Sequence, residues 1–95
     1  MKRLVVYILA SQRNGTLYIG VTGNLVKRVW EHREHLREGF TKQHHVHRLV
    51  YFEFHENFWT AIARESAIKR WRRFWKIKLI EQVNPTWEDL YDTLL

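Results

Sequence analysis

The sequence predicts a small α+β domain: a three-stranded antiparallel sheet flanked by helices, in the order β-β-α-β-α-α. An Asn-Gly pair separates two runs rich in β-branched and aromatic residues near the N-terminus, which indicates a hairpin. Apolar residues then recur at helical spacing in two segments, with a third strand-like run between them. The 95 residues are 45% hydrophobic and 15% aromatic, which predicts a single domain over 1–95 and excludes a disordered chain.

The first two strands are predicted over residues 5–10 and 16–22. Asn14-Gly15 is expected to form a two-residue type I′ turn, because that turn needs positive φ at both central residues. The resulting register places Tyr7 opposite Thr22.

Two tyrosines and a glycine are predicted on one face of this hairpin, because cross-strand partners share a face. These are Tyr7, Tyr18 and Gly20, and the other face is an apolar floor of Val6, Ile8, Leu17, Ile19 and Val21. Glycine in a strand interior often lies where another group approaches the backbone closely. The alternative is a pair of ordinary strand tyrosines beside a bulge glycine.

The first helix is predicted from Leu25 to about Arg37, after the N-cap residue Asn24 and before Gly39. Its apolar stripe has spacings of four, three and four, and consists of Leu25, Val29, His32 and Leu36. Residues 39–45 are predicted to be a polar loop.

A third strand is predicted over 46–54, followed by a second long helix capped by Asn57. That helix is expected to break or bend near 71–74. Asn84-Pro85 stops it, and a short terminal helix is predicted over 87–94.

The positive charge is concentrated in one segment. Sixteen Lys and Arg against ten acids give a net charge of +6, and residues 64–78 alone carry +6. An excess of this kind is typical of a protein that binds a polyanion, although a solvated basic helix face is the alternative.

The run 69–78 is both basic and aromatic, and three interpretations compete for it. It could contact phosphates while a ring stacks on a base. It could lie on an anionic membrane surface. It could be a core-packing helix with its Trp residues inside, covered by Lys and Arg stems. The third interpretation combined with the first is favoured.

Several classes of protein are excluded or disfavoured by what the sequence lacks. The absence of cysteine excludes thiolate zinc sites and favours a reducing cytoplasm. No apolar run approaches the roughly 20 residues of a membrane-spanning helix. Lys2-Arg3 and the apolar residues 4–10 imitate a signal peptide, but no small-residue cleavage site follows them.

Arg28 and His32 lie one helical turn apart and are predicted to share a helix face. An arginine that neutralises a phosphate beside a histidine that hydrogen-bonds it suits phosphodiester chemistry. The alternative is a hydrogen-bonded core histidine, because His32 falls on the apolar stripe.

A carboxylate, Glu65, falls within a second apolar stripe made up of Ala61, Ile68, Trp71, Trp75 and Leu79. Burying an unpaired carboxylate is costly, so Glu65 should be ion-paired, protonated or bound to a cation. Arg28 and Lys69 are the candidate ion-pair partners. Mg²⁺ is the candidate cation, because it retains several waters and needs only one or two carboxylates.

Four histidines, His44, His45, His47 and His55, suggest a transition-metal site at first reading. Alternation in a strand would place His45 and His47 on one face. No acid or cysteine completes a ligand pattern, so a surface loop is the favoured interpretation.

Taken together, the chain resembles the GIY-YIG nuclease superfamily over nearly its whole length. It is most similar to the small single-domain members related to the nuclease domain of the bacterial excision-repair incision enzyme. The resemblance rests on Val5-Val6-Tyr7, Tyr18-Ile19-Gly20, Asn24-Leu25, Arg28, His32, Phe40-Thr41-Lys42, Leu49 to Glu53, Glu65 and Asn84 to Leu90. Two departures are Val5-Val6 in place of Gly-Ile, and His44 or His45 where the small members have a tyrosine.

This resemblance implies a DNA endonuclease that uses one divalent cation, Mg²⁺ or Mn²⁺, held by Glu65. Tyr7 and Tyr18 would line the site, and one of them would hydrogen-bond or deprotonate the attacking water. Arg28 would stabilise charge on the phosphate, and His32 would orient the water or a tyrosine.

Expected nucleic-acid contacts are Gly20, Lys27, Lys42, Lys69, Arg70, Arg72 and Arg73. The expected partner is DNA, with RNA left open, and no membrane. The protein is predicted to be a cytoplasmic monomer or weak homodimer. It is expected to cleave with low sequence specificity, to prefer single-stranded, branched or damaged DNA, and to act in DNA repair. The rival hypotheses are a non-catalytic nucleic-acid-binding module and a membrane-surface protein.

Overall fold

The structure is a computed structural model that describes residues 3–36 and 39–95. The α+β prediction is confirmed, and the elements follow the expected order, with a short helix added inside the predicted loop 39–45 and the second long helix divided in two. They are β1 (Leu4–Ala10), β2 (Leu17–Thr22), α1 (Leu25–Arg33), α2 (Phe40–Gln43), β3 (Arg48–His55), α3 (Phe58–Arg70), α4 (Arg73–Val83) and a 3₁₀ helix (Leu90–Leu94). No helix among the described residues is both long and apolar enough to span a bilayer.

The sheet is antiparallel with strand order β2-β1-β3, and the predicted hairpin register is wrong by two residues. Tyr7 lies opposite Gly20 instead of Thr22. The loop between the strands is longer than two residues. Its turn is closed by a hydrogen bond that the Gly15 amide donates to the Gln12 carbonyl, at 2.9 Å. A shift of two residues preserves the faces, since side chains alternate with a period of two.

Two cores lie on opposite faces of the sheet. On one face, Val6, Ile8 and Ile19 pack against Ala61 and Ile68 of α3, as the predicted apolar floor requires. On the other face, the buried residues come from β1, β3, α1 and the segment before β3, and they are Val5, Tyr7, Leu9, Leu25, Val29, Val46 and Leu49. The sheet face that carries Tyr7 is therefore the one that α1 covers, and it is called the α1 face below. Helix α3 covers the opposite face.

Helix α1 is shorter than predicted, and Arg37 itself lies outside the described residues. Asn24 caps it, because its side chain accepts a hydrogen bond from the Lys27 amide at 3.1 Å. His35 has a φ of +55°, a conformation that ends helices. Leu36 consequently leaves the apolar stripe and is exposed.

The second long helix divides into α3 and α4 at the expected place. Asn57 caps α3 through hydrogen bonds from the Trp59 and Thr60 amides. Trp71 and Arg72 are extended, with ψ of 150° at both. This break restarts the helical phase.

The break makes the prediction of inward tryptophans wrong for α4. Trp75 is 56% exposed and Phe74 is 58% exposed, whereas Trp71 is half-buried. The predicted stripe assumed one continuous helical phase through residue 79. Two extended residues rotate Trp75 out of that stripe and onto the surface.

The C-terminal segment does not begin a helix at residue 87, as was predicted. Instead, a buried tryptophan at that position anchors the segment. Trp87 is fully buried, and its indole Nε1 donates to Glu81 Oε2 at 2.7 Å. Its φ of +60° is incompatible with the predicted helix start, so the 3₁₀ helix begins only at Leu90. Asp89 then accepts a hydrogen bond from Arg33 of α1 at 2.7 Å, which fixes the segment beside the α1 face.

Candidate active site

Three aromatic side chains meet on the α1 face of the sheet. The ring centroids of Tyr7 and Tyr18 are 6.3 Å apart, and those of Tyr18 and His32 are 5.5 Å apart. Tyr7 is fully buried and His32 is nearly so, whereas Tyr18 is half-buried. Of these three side chains, Tyr18 is the one that offers its surface to solvent.

The small size of Gly20 is what allows this arrangement. A Cβ at this position would lie 2.6 Å from both Cζ and Oη of Tyr7, closer than real Cβ contacts allow. The group that approaches the strand closely is therefore the Tyr7 ring. Gly20, predicted as a nucleic-acid contact, is buried beneath that ring.

His32 links two neighbouring elements through both ring nitrogens. Nε2 lies 3.3 Å from Tyr7 Oη, a long hydrogen bond, and Nδ1 lies 2.9 Å from Thr41 Oγ1 on α2. A neutral imidazole has one donor and one acceptor, so protonating Nδ1 for Thr41 leaves Nε2 to accept from Tyr7. Thr41 was missed as a site residue, although it is the centre of the Phe40-Thr41-Lys42 motif.

Arg28 lies one turn before His32 on α1, as predicted. Its Nε is 3.5 Å from Glu31 Oε1, and the Arg28 side chain is 29% exposed. The guanidinium is therefore accessible at the site, and part of its charge is shared with a carboxylate of the same helix.

Glu65 lies on α3, which packs against the opposite face of the sheet from α1 and contacts β2, the edge strand that carries Tyr18. Its side chain is 16% exposed and its Oε1 lies 3.4 Å from Lys69 Nζ. Of the alternatives left open by the sequence, the ion pair with Lys69 is the one observed. Within the described residues, no group of three His, Asp, Glu or Cys side chains could hold a metal ion.

A divalent cation bound here would therefore rely on Glu65 as its one carboxylate ligand. Such a donor fits Mg²⁺ or Mn²⁺ completed by water and substrate phosphate oxygens, and it does not fit a closed protein cage. In the free protein Lys69 pairs with this carboxylate. The Lys69 side chain is 53% exposed, so it is able to move away when a cation binds.

The predicted phosphate-binding cations fall into two groups. Lys27, Lys42, Lys69, Arg70 and Arg72 are exposed. Arg73 instead donates to the backbone carbonyls of Asn14 and Gly15, both at 2.6 Å, and so ties α4 to the β1–β2 hairpin.

The loop histidines gather around a residue that the sequence did not suggest. His35 lies 5.7 Å from His45 and 6.0 Å from His47 between ring centroids. Burial and the nearby His35 charge lower the pKa of His47. His45 and His47 precede β3, so the strand alternation expected for them is wrong.

A second polar network joins β3 to α3 on the Glu65 side of the sheet. Glu53 accepts hydrogen bonds from Tyr51 at 2.5 Å and from Arg64 Nε at 3.1 Å, and it contacts His55 Nε2 at 2.5 Å. Burial would raise the pKa of Glu53, but these three partners outweigh it and the pKa is lowered. Burial, followed by the Glu53 hydrogen bond, raises the pKa of Tyr51 to about 12.

Comparison with known proteins places this chain in a family. The model of the GIY-YIG catalytic domain matches residues 3–78. A UPF0213 protein of Clostridium perfringens is 41% identical over 75 residues, which is 79% of this chain and 80% of that protein. A UPF0213 protein of Syntrophus aciditrophicus is 36% identical over 86 residues, covering 90% of this chain and 97% of that protein.

A solved structure shares the fold. The solution NMR structure of a UPF0213 protein from Bacillus halodurans superposes with a TM-score of 0.58 at 24% identity, covering 92% of each chain. At that identity the likeness speaks for the fold alone.

Proposed function

Because the chain belongs to the GIY-YIG catalytic domain family, we propose that it is a divalent-metal-dependent endonuclease that hydrolyses phosphodiester bonds in DNA. The observation that carries the proposal is the cluster of Tyr7, Tyr18 and His32, with Arg28 one turn away on the same helix. Phosphodiester hydrolysis needs a positioned water and neutralised charge on the phosphate. This cluster offers groups for both tasks.

Tyr18 is the tyrosine that we assign to the attacking water, because its side chain reaches solvent while Tyr7 is fully buried. Tyr7 is then a positioning residue. Its hydroxyl is held by His32, its ring packs 6.3 Å from Tyr18, and Thr41 fixes the far side of the imidazole. The buried triad of Tyr7, His32 and Thr41 keeps Tyr18 in place without contacting DNA.

Arg28 is assigned to the scissile phosphate. A guanidinium binds two phosphate oxygens at once, and this interaction strengthens as negative charge develops on the phosphate in the transition state. Glu31 holds Arg28 at 3.5 Å in the free protein. A phosphate competes effectively with this partly exposed pair, since exposed ion pairs contribute little free energy.

Glu65 is assigned as the protein ligand of the cation, Mg²⁺ or Mn²⁺. When bound, the ion would polarise the phosphate and neutralise its charge as a Lewis acid. Lys69 pairs with Glu65 in the free protein, and its half-exposed ammonium is able to turn to a DNA phosphate once the carboxylate binds a cation.

The substrate we propose is DNA with single-stranded or branched character, cleaved with low sequence specificity. Support comes from the exposed cations and aromatic rings of α4, which suit backbone tracking and base stacking better than groove readout. A cytoplasmic monomer or weak homodimer acting in DNA repair is consistent with this chemistry and with the lack of cysteine.

The test is cleavage of a covalently closed single-stranded DNA circle, which only an endonuclease can open. We expect linear product with Mg²⁺ or Mn²⁺ and none in EDTA, with a linear duplex of the same sequence cut more slowly. Salt-sensitive binding with no cleavage under either ion would reject the nuclease and establish the alternative, a non-catalytic nucleic-acid-binding module.

A further inference from the structure

Helix α4 presents two adjacent aromatic rings that are each more than half exposed. Phe74 and Trp75 are 58% and 56% exposed, and their ring centroids lie 5.2 Å apart at an interplanar angle of 78°. Contiguous exposed apolar patches mark interaction sites, whereas single exposed apolar side chains are ordinary. This pair is called the α4 aromatic pair below.

Cations surround the α4 aromatic pair. Lys78 Nζ lies 5.6 Å from the Phe74 ring centroid, and Arg72 is exposed just before the helix. The sequence has no acidic residue between Glu65 and Glu81. The surface is therefore both aromatic and positive, which is complementary to nucleotides, since each carries an anionic phosphate and a base with a π face.

An open cleft of about 140 Å³ adjoins Trp75. It is lined by Trp71, Trp75, Lys78, Leu79 and Gln82. The Arg64 guanidinium lies 5.1 Å from the Trp71 ring centroid. The lining thus combines apolar side chains with one cation, Lys78, and one amide, Gln82.

The helix α4 that carries the aromatic pair is linked to Glu65, the proposed cation ligand on α3, through two polar contacts. Glu65 pairs with Lys69 at 3.4 Å, and the Lys69 carbonyl accepts a hydrogen bond from Lys76 Nζ at 3.2 Å. Lys76 is the residue next to Trp75. Lys69 and Lys76 therefore link the turn of α3 that carries Glu65 to the turn of α4 that carries Trp75.

We infer that the α4 aromatic pair is a stacking subsite for the bases of single-stranded DNA beside the cleavage site. The inference rests on the proposed function for its substrate, but binding tests it without cleavage. Duplex DNA keeps its bases stacked on each other and cannot use the subsite. The pair would therefore set a preference for single strands.

The chain contains a matched control for this inference. Phe58 and Trp59 at the start of α3 form a second exposed pair, with ring centroids 5.4 Å apart at 83°. Residues 49–63 carry a net charge of −2, so this pair has the geometry of the α4 aromatic pair without its cations. If exposure of aromatic rings alone caused binding, both pairs would contribute equally.

The experiment measures fluorescence anisotropy of labelled oligothymidylate, an abasic oligonucleotide of equal length, and a duplex, all in EDTA. Trp75→Ala should weaken oligothymidylate binding about tenfold, the effect of losing one stacked base. Trp59→Ala should leave it unchanged. Neither variant should alter duplex or abasic binding. The dependence of affinity on salt should be the same for Trp75→Ala and the natural chain, because stacking releases no counterions.

Two results would overturn the inference. One is oligothymidylate binding by Trp75→Ala equal to that of the natural chain. The other is self-association of the natural chain that Trp75→Ala abolishes without any effect on DNA binding, which would make the pair a contact between two copies. Failure to cleave DNA would reject the proposed function while leaving these binding results intact.

Discussion

At the scale of single residues, the position of Tyr7 depends on the missing side chain of Gly20. The phenol lies directly over the opposite strand, and there is no room for a methyl group between them. His32 then fixes the hydroxyl and Thr41 fixes His32. A single small residue therefore controls a chain of contacts that ends beside Tyr18.

Substituting Gly20→Ala should displace the Tyr7 ring and lower the free energy of unfolding by about 1–3 kcal/mol, the usual cost of overpacking. Urea denaturation measures this. A double-mutant cycle with Tyr7→Ala supplies the control, because the added methyl group should cost much less once the ring is gone. Equal costs in the two backgrounds would show that the ring is not what excludes the side chain.

Tyr18→Phe should lower the cleavage rate about 10²–10⁴-fold, the range expected on losing a residue that transfers a proton from the attacking water. The affinity for DNA should change little. Tyr91→Phe is the matched control, since Tyr91 packs beneath Arg33 at the C-terminal segment. If Tyr18→Phe cuts at the natural rate while Tyr7→Phe does not, the assignment of the two tyrosines is reversed.

The sequence was sufficient to place both tyrosines and Gly20 on one face, even though the predicted pairing was off by two residues. Face assignment depends only on whether the shift is even, and the hairpin lengthened by an even number. The role of Thr41 could not be predicted in this way. Nothing in its local pattern specifies which buried imidazole it will meet across the fold.

At the scale of elements, β3 and α3 are joined by the Glu53 network on the Glu65 side of the sheet. Arg64, which donates to Glu53, is the residue immediately before Glu65. The network therefore fixes the helix turn that carries the proposed cation ligand.

Glu53→Gln should lower the free energy of unfolding at neutral pH by about 2 kcal/mol, because hydrogen bonds to a charged group are lost. The folded pKa of Glu53 is depressed, so its contribution is complete above the unfolded value of 4.5. It is lost as pH falls through the folded pKa. The free energies of unfolding of Glu53→Gln and of the natural chain, measured by denaturation, should therefore converge below pH 4.5.

Glu56→Gln, an exposed glutamate one loop away, is the control and should match the natural chain at every pH. A constant difference between Glu53→Gln and the natural chain down to low pH would contradict an electrostatic origin for the network's contribution.

Arg72 and Arg73 are adjacent in the chain but are predicted to have different roles. Arg72→Gln should reduce the salt dependence of single-strand binding by about 0.7 in the slope of log K against log salt, the value for one phosphate contact. Arg73→Gln should leave the slope unchanged and lower stability, because it removes two hydrogen bonds to the hairpin. Equal slopes for the two variants would show that Arg72 makes no phosphate contact.

Helix boundaries with a capping residue were predicted well, because the cap is a local interaction. Asn24 at the start of α1 and Asn57 at the start of α3 are examples. The orientation of Trp75 was predicted wrongly. Periodicity gives a side chain's direction only within one uninterrupted helix, and two extended residues before α4 change the phase.

At the scale of the whole molecule, the net charge of +6 is divided so that each region has a distinct role. The region 64–78 carries the largest excess and adjoins both Glu65 and the α4 aromatic pair, whereas residues 79–95 carry −4 and anchor the C-terminal segment against α1 and β3. Composition alone predicted a polyanion partner. Only the structure separates Arg73, which is bonded to the hairpin backbone, from the other exposed cations of this region.

The central claim is that Glu65 supports metal-dependent cleavage of DNA. Its most direct test is the rate at which Glu65→Gln cleaves single-stranded circular DNA at saturating Mg²⁺, with Glu56→Gln as the matched charge control. We expect a loss of at least about a thousandfold for Glu65→Gln, since Lewis-acid stabilisation contributes several kcal/mol. DNA affinity in EDTA should be preserved, and Glu56→Gln should cut at the natural rate. Cleavage by Glu65→Gln within a few-fold of the natural rate would contradict the claim.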